Sequence, residues 1–431
     1  MSLTARHVRT CGWREPLAVA NGLRDCDGLL ALLSDGGALG RRSFVAADPD
    51  RVHIGALEDS GHLDALRDPE FATGVVGLIA YDAGARLATG MRPSDWPDLM
   101  LARYPSMLVF DHEARTVEAV GRGRDEAQAT LACDRAVGWL ETARAPDTPS
   151  APALTFEAED EPRIYCASVA DVVDRIAAGE LFQANIARAW SGELQPDADP
   201  FDVLLRLAGR EAAFGAFWRI GDRAIVSNSP ELFLTCDPTD GRIETRPIKG
   251  TRMRDDDPVR DAALATDLCD SAKDRAENLM IVDLMRNDLS RVAAPGSVRV
   301  ERLFEIESHP TVHHLVSTIV AKATDGTTAA DLMEATFPPG SITGAPKHQA
   351  MKVIAIHEGP RGPWCGSLFH IDGDGALTAS VLIRTAAFER PGQVWRFRTM
   401  AGAGIVADSD PCSELAETEA KIRALREALV G

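Results

Sequence analysis

Lys249 lies in the run Arg246-Pro247-Ile248-Lys249-Gly250-Thr251-Arg252, between a proline that fixes φ and a glycine that frees it. The strand-like run 242–245 feeds this turn, so the amine is presented from a constrained segment. An amine held in that way is a nucleophile once it has lost its proton. A solvated hairpin lysine would have the same local sequence, and only the neighbouring chemistry separates the two readings.

Four further groupings carry chemistry. Asp274 and Glu277 are three residues apart, as are Glu414 and Glu417, so each pair shares a helix face. Two such faces are either solvated acidic surfaces or, where they converge, an all-oxygen site suited to Mg²⁺. Pro339-Gly340-Ser341-Ile342-Thr343-Gly344-Ala345-Pro346-Lys347 precedes a helix expected to run to about residue 358. Small residues there leave free N–H groups that suit a carboxylate or phosphate, although an ordinary Gly-rich helix start reads the same. It is not a Walker A loop, because the lysine does not follow the second glycine directly.

Gly402 and Gly404 follow a strand, without the third glycine or the βαβ unit of a dinucleotide fingerprint; their use is close approach of backbone to ligand. Arg384, read as ending an alternating strand, offers a two-pronged grip for a carboxylate or is a surface residue. Glu231, after Ser229-Pro230, suits an oriented general acid, and His313 or His314 could position a departing hydroxyl; each could equally be a satisfied structural residue.

These residues need elements to hold them. Helices are expected over 164–178, 199–209, 271–289 (capped by Asp270 or Ser271) and 413–429, and strands over 182–191, 213–220, 223–227, 232–236 and 242–247. An antiparallel meander follows, with turns at 372–375 and 390–392. Upstream, 40–50 and 74–87 read as buried strands, 116–122 alternates as a strand, and a helix spans 124–143. A Pro/Ala/acidic stretch after it reads as an exposed linker or crossing loop. The pattern predicts an α+β class with large antiparallel sheets packed as a sandwich and helices outside. Residues 1–150 form a β-rich N-terminal part and 151–431 a catalytic part, together one compact unit.

Composition narrows the function. The 431 residues carry a formal net charge of −19, which argues against nucleic acid and requires local cations, N–H groups or a metal if the substrate is anionic. Eight cysteines without CxxC spacing argue for reduced thiols in a cytoplasm and against zinc. No apolar leader or long apolar run is present, so neither secretion nor membrane insertion is expected.

Taken in order, SPELFL, RPIKGTR, AENLMIVDLMRNDLSRV, VHHLVS, PGSITGAPK, GPWCGS, VLIRT, AGAGIVADSDP and ELAETEAK resemble the chorismate-utilising enzymes. That family includes anthranilate and aminodeoxychorismate synthase components I and the isochorismate and salicylate synthases. The resemblance covers 164–429, and more loosely GRRSFVAADP and GLIAYDAG, and implies the chorismate-binding fold. It places Mg²⁺ on Glu277 and Glu417, with Asp274 and Glu414 as water-mediated or auxiliary ligands. It gives the ring carboxylate to N–H groups near Thr343 and Gly344, the pyruvyl carboxylate to Arg384, Gly402 and Gly404, and nearby positive charge to Lys421.

Within the family, PIKGT looks like the aminodeoxychorismate synthases and PIAGT like the anthranilate synthases; this chain has Lys249. The resemblance then implies that Lys249 attacks ring carbon 2, that Glu231 protonates the hydroxyl leaving carbon 4 with His314 orienting it, and that ammonia enters at carbon 4. Gln183 stands where isochorismate-forming relatives carry a basic lysine, which argues against water as nucleophile. Trp364 replaces a usual tyrosine whose hydroxyl both donates and accepts, Asp274 is one methylene shorter than the usual glutamate, and Cys412 replaces a common acidic residue. No glutaminase-type cysteine elbow is present, so ammonia is expected from a separate glutamine amidotransferase subunit, in a route to p-aminobenzoate and folate. The alternatives are anthranilate or 2-amino-2-deoxyisochorismate synthesis, or a chorismate-binding subunit without catalysis.

Overall fold

The computed structural model describes residues 3–37, 39–57, 63–210, 212–309 and 312–431. Its strands form a twelve-stranded and a ten-stranded sheet, and every pairing of named strands among the described residues is antiparallel. In the larger sheet Ala5–Gly12, Thr116–Gly123, Ser106–Asp111, Arg42–Ala46 and Leu30–Leu33 lead into Phe214–Ile220, Arg223–Ser229, Thr385–Glu389, Arg396–Ile405 and Gln183–Glu193. In the smaller, Ile248–Met253, Val312–Lys322, Arg242–Thr245, Leu232–Cys236, Leu377–Val381 and Ser367–Ile371 lead into Val75–Ile79, Leu99–Arg103 and Arg51–Gly55. Both sheets therefore contain strands from either side of residue 150.

Period-2 alternation explains how the sheets stack. Leu30, Met107 and Trp218 of the larger sheet meet Val76, Leu78, Met100 and Leu368 of the smaller in one buried cluster. The larger sheet's other face buries Phe217, Phe388 and Phe397 against Ala136, Leu204, Ile422 and Leu425 of the helices Glu126–Trp139, Pro200–Leu207 and Pro411–Val430. Val75, Ile79 and Phe369 of the smaller sheet share a cluster with Ile281, Met285 and Leu332 of the helices Ala272–Ser290 and Ala329–Thr336. Burial of these faces, at roughly 25 cal/mol per Å² of apolar surface, is the main force joining sheets and helices.

The chain passes from one sheet to the other twice, side by side. Arg223–Ser229 belongs to the larger sheet and Leu232–Cys236 to the smaller, so residues 230–231 make the first crossing. Leu377–Val381 and Thr385–Glu389 are likewise divided, so residues 382–384 make the second. Hydrogen bonds tie the crossings together: Val381 N donates to Glu231 O at 3.1 Å, Asn228 N to Arg384 O at 3.0 Å, and the Ser229 hydroxyl to Val381 O at 2.5 Å.

The expected elements appear with shifted ends. The run 74–87 is a strand only over Val75–Ile79; Tyr81–Thr89 is a helix, because a buried apolar run of that length has no periodicity to separate the two. The stretch after the helix Glu126–Trp139 is a crossing loop held to the body, with Ala153 N bonded to Leu429 O at 3.0 Å and Pro149 O accepting from Arg206 at 2.9 Å. The helices Pro258–Asp270 and Ala329–Thr336 and the long strand Arg299–Ser308 were not anticipated. The first of these helices was legible: Asp257 caps Val259 N and Pro258 occupies the first turn.

Candidate active site

Lys249 lies in the strand Ile248–Met253, whose pairing with Val312–Lys322 shifts register between Ile248 and Thr251. Gly250 takes φ +85° there, and a Cβ on it would meet Leu268 Cδ1 at 2.8 Å and Asp274 Cγ at 2.9 Å, so glycine is required by conformation and by space. The irregularity releases the lysine from the ladder, and its Nζ donates to Ser341 O at 3.2 Å. Burial pushes the amine below the ordinary lysine range; Glu277, Glu231 and Glu417 pull the other way, and Lys421 adds to the lowering. A lowered pKa makes free amine available closer to neutral pH.

The two crossings place an acid and a cation beside it. Glu231 is 4% exposed, and burial raises its carboxyl above the usual range against the stabilising Ser341 hydrogen bond and the Lys249 charge. Arg384 lies in the second crossing at φ +51°, between strands rather than at a strand end, and its guanidinium has no hydrogen-bond partner among the described residues. Burial lowers its pKa, with Glu231 opposing. His314 pairs with Thr251 in the ladder, and its Nδ1 is 2.9 Å from the Thr251 hydroxyl. Burial and the neighbouring Arg384 hold that imidazole down to about 3, so it is neutral at physiological pH. His313 points away, bonded to Ser308 at 2.8 Å and Asp261 at 2.9 Å, and is the structural one of the pair.

Ser271 caps the helix Ala272–Ser290 through Asp274 N and so orients its first acidic turn. Glu277 on this helix and Glu414 and Glu417 on Pro411–Val430 act on one another electrostatically. Burial raises Glu277 and Glu414; it acts on Glu417 too, but Lys421 at 2.6 Å, with Lys249 and Lys273, outweighs it and the net shift is downward. Each carboxylate has a protein partner: Lys273 lies 3.9 Å from Glu277, Arg252 is 3.3 Å from Asp274, and Ser409 donates to Glu414 at 2.7 Å.

Gly402 and Gly404 make room for side chains. A Cβ on Gly402 would fall 2.6 Å from Asn185 Oδ1, and one on Gly404 would fall 2.8 Å from Gln183 Nε2 and 3.4 Å from Lys249 Nζ. Lys421 donates to Gly402 O at 2.9 Å. Thr343 turns inward: its hydroxyl donates to Pro339 O at 3.0 Å and its N–H to Gly340 O at 3.3 Å, so that N–H is not free for a ligand. Gly344 takes φ +135°, and a Cβ there would strike Gln183 O at 2.1 Å. Pro346 precedes the helix Lys347–His357 at its N-cap position. Trp364 is 5% exposed and its Nε1 has no hydrogen-bond partner.

Comparison with known proteins decides what this arrangement belongs to. Residues 41–427 match the family described as chorismate binding enzyme. The chain belongs to that family. It is 40% identical over 363 residues to aminodeoxychorismate synthase component 1 of Salmonella typhimurium, covering 82% of this chain and 77% of that protein. It is 33% identical to anthranilate synthase component 1 of Aeropyrum pernix over 98% of this chain and 97% of that one. The crystal structure of anthranilate synthase component I from Streptococcus pneumoniae superposes with a TM-score of 0.73 at 26% identity, covering 99% of this chain and 93% of that chain.

In this chorismate binding enzyme the carboxylates fit an oxygen-preferring divalent cation by donor type, and the repulsion of Glu417 adds to the burial that lifts Glu277 and Glu414. They do not form a closed cage: among the described residues no three His, Cys, Asp or Glu side chains stand ready around one point. Sequence reasoning passed over three residues. Ser341 receives Lys249 and bonds Glu231, Asn185 shares a strand face with Gln183, and the fully buried Arg361 donates to Ile342 O at 3.1 Å and Asn185 O at 2.6 Å. Asn185 was the legible one, since residues two apart on a strand share a face.

Competitive acylation of the folded protein, quantified by mass spectrometry of the Lys249 peptide across pH, is expected to give a midpoint below the ordinary lysine value of about 10.4. Lys421→Met should move that midpoint upward, because a repelling cation is lost, and Glu277→Gln should move it downward. An unshifted midpoint that ignores both substitutions would contradict this electrostatic description.

Proposed function

We propose that this chain aminates chorismate, converting chorismate and ammonia into 4-amino-4-deoxychorismate and water as a precursor of p-aminobenzoate. The observation that carries this reading is the half-buried Lys249, its amine shifted down, beside the buried Glu231, its carboxyl shifted up, which are the directions that suit a nucleophile and a general acid. The likeness to proteins named aminodeoxychorismate synthase component 1 supports it.

Lys249 nitrogen bonds to ring carbon 2, both double bonds of the ring diene shift, and the carbon 4 hydroxyl leaves as water with the proton of Glu231. The adduct nitrogen returns a proton to Glu231. Ammonia then bonds to carbon 4, both double bonds shift back, the carbon 2–nitrogen bond breaks, and the proton shed by ammonia goes to the departing Lys249 nitrogen. Neutral His314 orients without supplying a proton. Arg384 and Lys421 supply charge for the substrate carboxylates that a −19 chain otherwise repels.

Glu277 and Glu417, with Asp274 and Glu414 as auxiliary ligands, would hold Mg²⁺. When bound, the cation would supply positive charge for the ring carboxylate. Ammonia would reach the site from a separate amidotransferase subunit, as the component 1 name of the relatives suggests. No helix among the described residues is long and apolar enough to cross a membrane, and a cytoplasmic location is the proposal that accompanies the eight unpaired cysteines.

With chorismate, Mg²⁺ and ammonium salt at alkaline pH, product mass spectrometry should find the carbon 4 amine. Lys249→Ala should abolish it while chorismate binding persists, since the arginine grip is intact; a carbon 2 amine from the variant would fit a pocket that now resembles PIAGT relatives. Near-wild-type carbon 4 amination by the variant would refute the covalent route, and chorismate binding without any turnover by the wild type would leave a binding subunit. In a second test, isothermal titration should show Mg²⁺ binding that Glu417→Gln weakens at least tenfold; equal binding by both proteins would remove these carboxylates as the metal site.

A further inference from the structure

The strand Val312–Lys322 has irregular neighbours on both sides. On one side its pairing with Arg242–Thr245 stops at Ile319 and its pairing with Ile248–Met253 starts at Val316. On the other, the register of Arg299–Ser308 shifts between Arg302 and Glu305, where Phe304 takes φ +59°. Ser317 falls in both gaps and, among the described residues, is the only member of the strand set opposite no residue in any ladder. Its groups reach across elements instead. Ser317 N donates to Pro247 O at 3.3 Å, two residues before Lys249, and its hydroxyl accepts from Phe304 N at 3.1 Å. The same hydroxyl donates to Asn278 Oδ1 at 2.5 Å, and Asn278 Nδ2 reaches Leu315 O at 3.5 Å. Ser317 and Asn278 are both 0% exposed.

Asn278 heads the buried stripe of the helix Ala272–Ser290, ahead of Ile281, Val282, Met285 and Leu289, and directly follows Glu277. Apolar contact is non-directional, so those four residues hold the helix to the sheet yet tolerate a small turn about its axis. A turn of about 10° carries a side chain roughly 1 Å at the helix's outer radius of about 5–6 Å. A hydrogen bond has a preferred line and resists that turn. Burying an amide costs free energy that an apolar residue avoids unless its bonds are made, and here they are made to the serine that also anchors the segment entering Lys249. Phe304 adds a second hold on the same helix, its ring centre 4.8 Å from the Arg275 guanidinium carbon. We propose that Asn278 and Ser317 are a positioning pair: their hydrogen bond sets the rotation of the helix Ala272–Ser290, and the bond to Pro247 ties that rotation to the strand of Lys249, so Glu277 and the amine keep a fixed spacing. The pair acts through those two residues, and its part in amination rests on the reading above. Glu277 is the charge that most strongly opposes the lowering of the Lys249 amine, so the spacing governs how readily the amine loses its proton.

The test is a double-mutant cycle on the folded, metal-free full chain, read by the pH midpoint of Lys249 acylation with thermal melting followed alongside. Glu277→Gln is compared in the wild-type and Asn278→Leu backgrounds. A pair that fixes the spacing makes Glu277→Gln move the midpoint less than about half as far in the Asn278→Leu background as in the wild-type one, whatever happens to the melting temperature. A larger displacement than that, or none in either background, overturns the assignment and leaves the pair a purely structural one. Should Asn278→Leu fail to fold by circular dichroism, Ser317→Ala removes a single hydroxyl and carries the same expectation and the same refutation. Acylation needs no turnover, so failure of the amination reading shows separately, as a wild type that forms no amine from chorismate and ammonium.

Discussion

An amine moved out of water loses its hydration, and the surroundings decide whether it stays charged. Around Lys249 three carboxylates favour the charged form, and burial together with Lys421 opposes them and prevails. The same burial acts in the opposite sense on Glu231, which keeps its proton more readily than an exposed glutamate. One desolvated pocket thus moves the amine toward its free base and the carboxyl toward its acid form, the two directions a nucleophile and a general acid require. The rest of the architecture holds the members of that pocket in place.

The crossings between sheets do most of the placing. A strand that leaves one sheet for the other exposes its turning residues to the space between, and Glu231 and Arg384 are those residues. Arg361 fixes the opposite wall. Its guanidinium lies 4.5 Å from the Tyr81 ring centre and 5.0 Å from that of Trp364, with Glu358 as counter-ion at 2.8 Å. Glu358 in turn accepts Ala187 N at 2.8 Å, so the ion pair locks the amide-bearing strand to the loop around Ile342. Tyr81 comes from the N-terminal third of the chain, which therefore takes part in shaping the site although no chemistry was evident in its sequence.

Much of the site was legible because its chemistry depends on residue type and short spacing. Lys249 beside glycine, Glu231 after proline and the two acidic pairs were visible locally, and the capped helices carrying the acidic pairs were found within a few residues of their ends. Long-range partners were hidden. Nothing local to Ser341 says that it receives Lys249, 92 residues away, and nothing local to Gly402 or Gly404 says that amide side chains fill the Cβ space. Arg384 was misplaced at a strand end because a sheet crossing has the same alternation as a continuing strand, and only the φ of +51° distinguishes it. The Thr343 N–H was expected to meet a ligand, but the tight turn at Gly340 uses it internally.

The central claim is that Lys249 forms a covalent bond to the substrate ring, and it can be tested without ammonia. The full chain is mixed with chorismate and Mg²⁺ in ammonia-free buffer, quenched rapidly, digested and analysed by peptide mass spectrometry. The account predicts an added mass of chorismate minus water on the peptide carrying Lys249, and its disappearance on addition of ammonium with the carbon 4 amine released at a matching rate. An unmodified Lys249 at every quench time, in a preparation that makes the amine at full rate once ammonium is present, would contradict it.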